Sequence, residues 1–413
     1  MLRLQRCARY PGSDLTRVVT MSQVEPSPQS VPDLPLSGLV VLDMSQFLSG
    51  PYCSMRLMDL GARVIKIERP DGGDLCRRLY LSDTEIGGDS TLFHAINRNK
   101  ESLALDLKSP VDLAALKTLV AKADVLIQNF RPGVIDRLGL GYADAQKINP
   151  RLVYASITGY GEDGPWKDRP GQDLLAQARS GMMWLNGDAD QGPVPFGLAC
   201  ADMLAGSAVA HGILAALVRR GINGKGAHVE TSLLEALVDF QFEVLTTHLN
   251  DGGRLPQRSE FRSAHAYLAA PYGVYQASDG WIAIAMTPIS KLATLMGIKD
   301  LAPFVDDPKS WFTQRDPIKR IIASAVRQQS VAHWLAILEP ADIWCAKVLD
   351  WPELLASEGF KTLDMLQWVE REDNVHIQTT RSPLRIDGVR PPMSRAAPRI
   401  GEHSAAIRAE FEL

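Results

Sequence analysis

Asp202 lies between an apolar run, Phe196–Cys200, and a segment of small residues, Met203–Ala216. A carboxylate placed there is either a helix N-cap or a functional group. At a helix start, the N-terminal field would help keep it ionised and nucleophilic. Gly206 and Ser207 leave room for something to approach closely. A second set is basic. Arg69, Arg98, Lys100, Arg131 and Arg137 recur at the ends of expected strands. Such groups could clamp the phosphates of a large anion; scattered surface cations are the other reading. The turn Ser45–Pro51 opens onto a helix start, which favours anions. It lacks the Gly-rich signatures of dinucleotide and P-loop sites, so a plain structural turn stays open. The histidines form no His-x-x-His pair, so no metal is expected. No Gly-x-Ser-x-Gly occurs, so a hydrolase elbow is not indicated.

The elements that must hold these groups follow from pattern. Leu39–Met44 is an apolar strand run, Tyr52–Leu60 a helix ending at Gly61, and Arg63–Ile67 the next strand. That β–α–β spacing implies a parallel sheet. Further strands are predicted at Leu103–Leu107, Asp124–Gln128 and Leu152–Ile157, with helices at Val111–Ala121 and, briefly, Pro132–Leu138. Asp202–Arg219 reads as a long helix stopped by Gly221–Gly226, and Val229–Leu249 as a second one. Past Asn250 the character changes. Tyr272–Tyr275 and Trp281–Ala285 flank Ser278-Asp279-Gly280 as a hairpin. Helical patterns follow to about Leu338, and Pro383–Pro398 is an extended tail.

The chain has 413 residues, which allows two or three domains. With 44 basic and 48 acidic residues its formal charge is −4, against a general nucleic-acid binder. No run approaches the roughly 18 apolar residues of a membrane span; Met203–Val218 reads as a buried helix. Cys7, Cys53, Cys76, Cys200 and Cys345 are scattered and read as reduced thiols. Residues 1–20 carry four arginines and one acid, Asp14. They read either as a mitochondrial targeting segment or as an upstream start on a bacterial chain that begins at Met21. The expected location is the cytoplasm, or the mitochondrial matrix if residues 1–20 are an address.

Ordered motifs then add a resemblance. They are Leu36-Ser-Gly-Leu-Val-Val-Leu-Asp43 with Ser49-Gly50-Pro51; Leu60-Gly-Ala-Arg-Val-Ile-Lys-Ile-Glu-Arg-Pro70 with Gly73-Asp74; and Asn97-Arg-Asn-Lys100. Asp124–Gly133, Ile157-Thr-Gly-Tyr-Gly161, Ala201-Asp202, Gly224-Lys-Gly226 and Gly401-Glu-His403 continue the series. In this order, from about Leu36 to Ile407, the chain resembles the class III CoA-transferases, which include the formyl-CoA:oxalate, carnitine and bile-acid enzymes. Asn186-Gly-Asp-Ala-Asp190 and Cys345-Ala-Lys-Val-Leu349 resemble the carnitine-type branch. The resemblance implies an α/β fold: a large Rossmann-like domain with a parallel sheet built from both chain termini, plus a smaller α+β domain, in an interlocked homodimer. The domains it suggests are an extension at 1–35, the large domain over 36–225, a linker helix and small domain over 226–345, and a return to the large domain over 346–413.

The resemblance also implies an enzyme that moves CoA from an acyl-CoA to a carboxylic acid through an aspartyl-CoA thioester. Asp202 matches the nucleophile. Phe47, Leu48, Arg69, Asn129, Phe130, Arg137 and Leu138 match CoA-binding positions, with Lys100 and Gln172 beside them. No permanently bound cofactor is expected, and coenzyme A enters as the thioester substrate. Related racemases acting on α-methylacyl-CoA have a histidine where this chain has Gln172, which cannot serve as their base. Met286-Thr287-Pro288 stands where their second acid lies. Leu48 replaces a glutamine of the formyl/oxalate enzymes, and their glycine-rich lid is missing from residues 255–290. A racemase or isomerase, and an acyl-CoA-binding protein without catalysis, are the alternatives.

Overall fold

A computed structural model describes residues 34–391 and 393–413. Residues 1–33, with the targeting and upstream-start readings, lie outside the described residues. Six strands form one parallel sheet: β1 (Val40–Asp43), β2 (Arg63–Glu68), β3 (Glu101–Ala104), β4 (Val125–Gln128), β5 (Val153–Thr158) and β6 (Ala227–Ser232). Their order is β3-β2-β1-β4-β5-β6. The winding direction reverses between β1 and β4. Open α/β sheets bind their ligands at the carboxyl ends of strands at such a reversal.

Alternation along the strands sorts the core onto two faces. Val41, Val64, Val125 and Val153 join α1 (Ser49–Met58) on one face. Leu42, Ile65, Leu126 and Tyr154 face the other way, toward α3 (Pro110–Lys122) and α4 (Tyr142–Ile148); α2 is Thr91–Asn97. Next come α5 (Asp173–Arg179), α6 (Cys200–Asn223), α7 (Leu233–Phe240) and α8 (Phe242–Asn250). Helix α6 packs on the α1 face. It is long and apolar enough to cross a bilayer by composition, which the residue count above did not show. Here its apolar side instead packs against α1 and the sheet.

The segment expected as one helix over Val229–Leu249 begins as strand β6. Gly226 permits this: a Cβ there would lie 2.1 Å from the Leu152 carbonyl, so only glycine lets the chain turn in beside β5. Ser232 then caps α7 by accepting from the Glu235 amide. Of the helix expected over Pro132–Leu138 only the turn Asp136–Leu138 forms. The hairpin is present, as β7 (Gly273–Gln276) and β8 (Trp281–Ile284). A third strand, β9 (Cys345–Lys347), pairs with β8, so the small sheet runs past the boundary expected at residue 345. This sheet has its own apolar cluster, including Tyr275, Ile282, Ile322 and Trp334. At the far end of the chain, Gly401–Ser404 lies along the open edge of β3 and satisfies its backbone: His403 accepts from the Ser102 amide and Ser404 from the Ala104 amide.

Beneath the β1–α1 turn lies a buried ionic cluster. Lys100 Nζ donates to Asp43 at 2.9 Å, to Asn97 at 2.8 Å and to the Pro51 carbonyl at 2.9 Å. Lys66 pairs with Asp74 at 2.8 Å and donates to the Ser45 carbonyl at 2.9 Å. Burial alone would raise the Asp43 pKa. Lys100, Lys66 and the hydroxyls of Ser45 and Ser54 outweigh it and hold the carboxyl well below its ordinary range. Lys100 moves the other way, pushed down to about 8 because burial outweighs its carboxylate partner. Removing one member of a buried pair strands the other charge. Lys100→Met therefore lowers stability by about 3–5 kcal/mol, read as an earlier midpoint in chemical denaturation.

Candidate active site

The β1–α1 turn is held from two sides. Asn129, just past β4, accepts from the Gln46 amide at 2.8 Å and donates to the Gln46 carbonyl at 2.7 Å. The same side-chain amide donates to Ser49 Oγ at 3.3 Å. On the other side, the Phe47 amide donates to Asp74 at 3.1 Å. Phe47 itself has φ 61, a left-handed backbone that a bulky residue rarely adopts. Such geometry persists where the surroundings over-determine it, and it clusters at functional sites.

Helix α6 brings Asp202 to this turn. The helix starts at Cys200, so Asp202 sits in its first turn and is not the N-cap; Ala199 holds that position. Gly206, one turn further, lies against α1. A Cβ there would come within 2.5 Å of the Ser49 carbonyl. What approaches at Gly206 is thus α1 itself, and the close crossing sets the Ser49 hydroxyl near enough to the Asp202 carboxyl to favour its ionised form. Asp173, the first residue of α5, accepts from the Asp202 amide at 3.1 Å. Gln177 fixes Asp173 through a 2.6 Å bond and accepts from the Phe196 amide at 2.9 Å, tying down the approach to α6.

These neighbours set the electrostatics. Burial and the Asp173 charge push the Asp202 carboxyl up to about 7, and the Ser49 hydroxyl only partly opposes them. The expectation that the helix field keeps Asp202 ionised is therefore corrected. Near neutrality the carboxyl is balanced between acid and carboxylate. Cys200, buried two residues away, has its thiol pKa raised by burial and then by the charges of Asp173 and Asp202.

A cavity of about 150 Å³ opens beside the turn at the carboxyl ends of β1, β2, β3 and β4. Met44, Ile67 and Leu105 give it an apolar wall, Phe130 a ring, and Arg69 and Lys108 two cations. Gln46 lines it too and is tied through Asn129 to Ser49 at the start of α1.

The structure thus gathers Phe47, Asn129 and Asp202 around one turn, and Arg69 and Phe130 around one cavity. Leu48 is the N-cap of α1 and packs on the Cys76–Phe93 cluster. Arg137 and Leu138 lie on the turn after β4, and neither lines the cavity. Gln172 is exposed at the N-cap of α5; its neighbour Asp173 makes the contact. Lys100 is placed elsewhere, inside the buried cluster with its donors occupied. Asp173, Gln177, Ser49 and Lys108 were not singled out from sequence. Ser49 stood within a quoted motif, and the others carried no local signal.

The model of CoA-transferase family III matches residues 36–404. An acetyl-CoA:oxalate CoA-transferase of Acetobacter aceti is 35% identical over 92% of this chain and 96% of its own length. The human succinyl-CoA:glutarate CoA-transferase is 30% identical over 91% of this chain and 86% of its own. A crystal structure of a CAIB/BAIF family protein from Brucella suis superposes with a TM-score of 0.78 at 32% identity, over 92% of this chain and 99% of that one. These names pair CoA with oxalate and glutarate, and they do not support the expected placing in the carnitine-type branch.

The crossing at Gly206 gives a direct test. Gly206→Ala overpacks the α1–α6 contact and destabilises by about 1–3 kcal/mol, seen as a lower Tm in thermal unfolding.

Proposed function

The chain belongs to CoA-transferase family III, and from that premise we propose that Asp202 is the covalent carrier of the acyl and CoA groups. The observation that supports this most directly is the place of Asp202, in the first turn of α6 where that helix crosses the start of α1, after the turn whose Ser45 and Gln46 line a cation-bearing cavity at the sheet reversal. One Asp202 carboxylate oxygen attacks the thioester carbonyl, the carbon–sulfur bond breaks, and CoA leaves as its thiolate. The mixed anhydride that forms is attacked by that thiolate at the Asp202 carbonyl. This breaks the bond to the donor acid, releases it as a carboxylate, and leaves an aspartyl-CoA thioester. The acceptor carboxylate repeats the sequence in reverse. No proton is gained or lost in the sum, so the protein needs no acid–base relay. The Ser49 and Gly50 amides at the start of α1 have no intrahelical partner and suit the oxyanions that form.

The cavity takes the nucleotide end of CoA in this reading. Phe130 receives the adenine, and Arg69 and Lys108 the phosphates. Arg137 serves from the exposed turn after β4. The acceptor is a short dicarboxylic acid, by likeness to relatives whose names carry oxalate and glutarate. The working form is an interlocked homodimer, with the large domain made from both ends of the chain. Supporting this, Phe242, Leu249, Leu255 and Trp351 leave large apolar surfaces exposed on one chain.

Hydroxylamine added during turnover with succinyl-CoA and glutarate, followed by mass spectrometry, tests the carrier. A hydroxamate on Asp202 is expected, and an active enzyme with Asp202 unmodified would overturn the reading. Asp202→Ala abolishes turnover while CoA still binds, as titration calorimetry would show. The nucleophile must be ionised, so kcat/KM falls about tenfold per pH unit below a pKa of about 7. Asp173→Asn removes the neighbouring charge and moves this acid limb to lower pH, which a pH–rate profile measures directly.

A further inference from the structure

A cleft of about 520 Å³, much larger than the cavity beside Asp202, lies on the small sheet. Its floor is the outward face of the β7–β8 hairpin, where Gln276 and Trp281 stand opposite each other. Its rim carries Arg262, Arg320 and Arg327, with Ser324 between the last two. Arg320 pairs with Glu260 at 2.6 Å. Arg262 and Arg327 have no ion pair among the described residues, so the rim keeps two uncompensated positive charges.

The position of Arg262 is built. Its backbone is left-handed, at φ 49, a conformation that a non-glycine residue rarely adopts. Its guanidinium carbon stacks 4.6 Å from the centre of the Trp281 ring. Underneath, the buried Lys319 donates to Ser259 Oγ at 2.8 Å, to the Phe261 carbonyl at 3.0 Å and to the Arg262 carbonyl at 3.2 Å. Ser259 in turn donates to Asp316 at 2.6 Å. A buried ammonium spent on two carbonyls and a hydroxyl is expensive without a directly bonded carboxylate. Here its geometric effect is to fix the loop that carries Arg262. The aromatic stack holds the guanidinium plane flat over the ring, with its N–H edges free to meet oxygen ligands.

We propose that this cleft is a second binding site, for a small dianion, in which Arg262 and Arg327 take the charged oxygens and Trp281 takes the body of the ligand. Two uncompensated guanidinium groups match two negative charges, and guanidinium forks suit both carboxylate and phosphate. A dicarboxylate and a phosphate ester share that chemistry. A volume of this size lies in the range of small-molecule sites. The site does not depend on the role given to Asp202, and it shares no residue with the cavity at the sheet edge.

The test is titration calorimetry on the full chain with succinate, inorganic phosphate and ADP as separate probes. Binding of at least one probe is expected, weakened about tenfold or more by Arg262→Gln and by Arg327→Gln, in line with loss of a charged anchor. Both arginines are exposed, so the fold survives either change. Arg69→Gln serves as the control for the other cavity and leaves this binding unchanged. Succinate alone would identify a carboxylate ligand; phosphate and ADP alone would identify a phosphate ligand. The proposal fails if no probe binds up to about 10 mM, a range that covers even weak sites. It fails equally if Arg69→Gln removes the binding while Arg262→Gln and Arg327→Gln keep it.

Discussion

Two buried lysines hold the β1–α1 turn on which the candidate site is built. Lys66 holds the Ser45 carbonyl and Lys100 the Pro51 carbonyl, at the two ends of the β1–α1 turn. Asp43 and Asp74 return their charge. The turn between those carbonyls carries Phe47 in a left-handed conformation and delivers Ser49 to the start of α1. At the α1–α6 crossing the Ser49 carbonyl lies against Gly206, one turn beyond Asp202. A buried network of paired charges of this kind is rigid, because every member loses much if one partner moves. The position of the carboxyl is inherited from ion pairs that no ligand need touch.

Much of the sheet could be read from the chain itself. Val40–Asp43, Arg63–Glu68 and Val125–Gln128 are buried almost throughout, and short apolar runs of that kind announce central strands. β6 was hidden for the opposite reason. It is an edge strand, and Glu230 on it is exposed, so its pattern resembles a polar helix start. The small hairpin was legible from its turn, whereas its third strand, about sixty residues further on, had no local mark.

The turn and the helix start that meet at the candidate site were legible, and their surroundings much less so. Asp202 and the β1–α1 turn emerged from motif order. Lys100 was misassigned because a lysine after a helix looks the same in sequence whether it meets a ligand or a buried acid. Its partner, Asp43, lies 57 residues away. Asp173, 29 residues away, adds its charge to the burial that raises the Asp202 pKa. Charge coupling of this type belongs to the tertiary structure, and no window of sequence contains it.

Cys200 gives the site one more property. A thiol and a carboxyl sit two residues apart at the start of one helix, and both are potential acyl acceptors. The same buried, acid-rich surroundings act on both, with unequal results. Asp202 still ionises near neutrality, while Cys200 is held further toward its unreactive protonated form. If Asp202 is the carrier proposed above, an acyl group arriving here is steered to oxygen, where it stays activated as an anhydride. On sulfur it would become a thioester no more reactive than the one that entered. On that proposal, the crowding that makes Asp202 a reluctant anion also favours it over the neighbouring thiol.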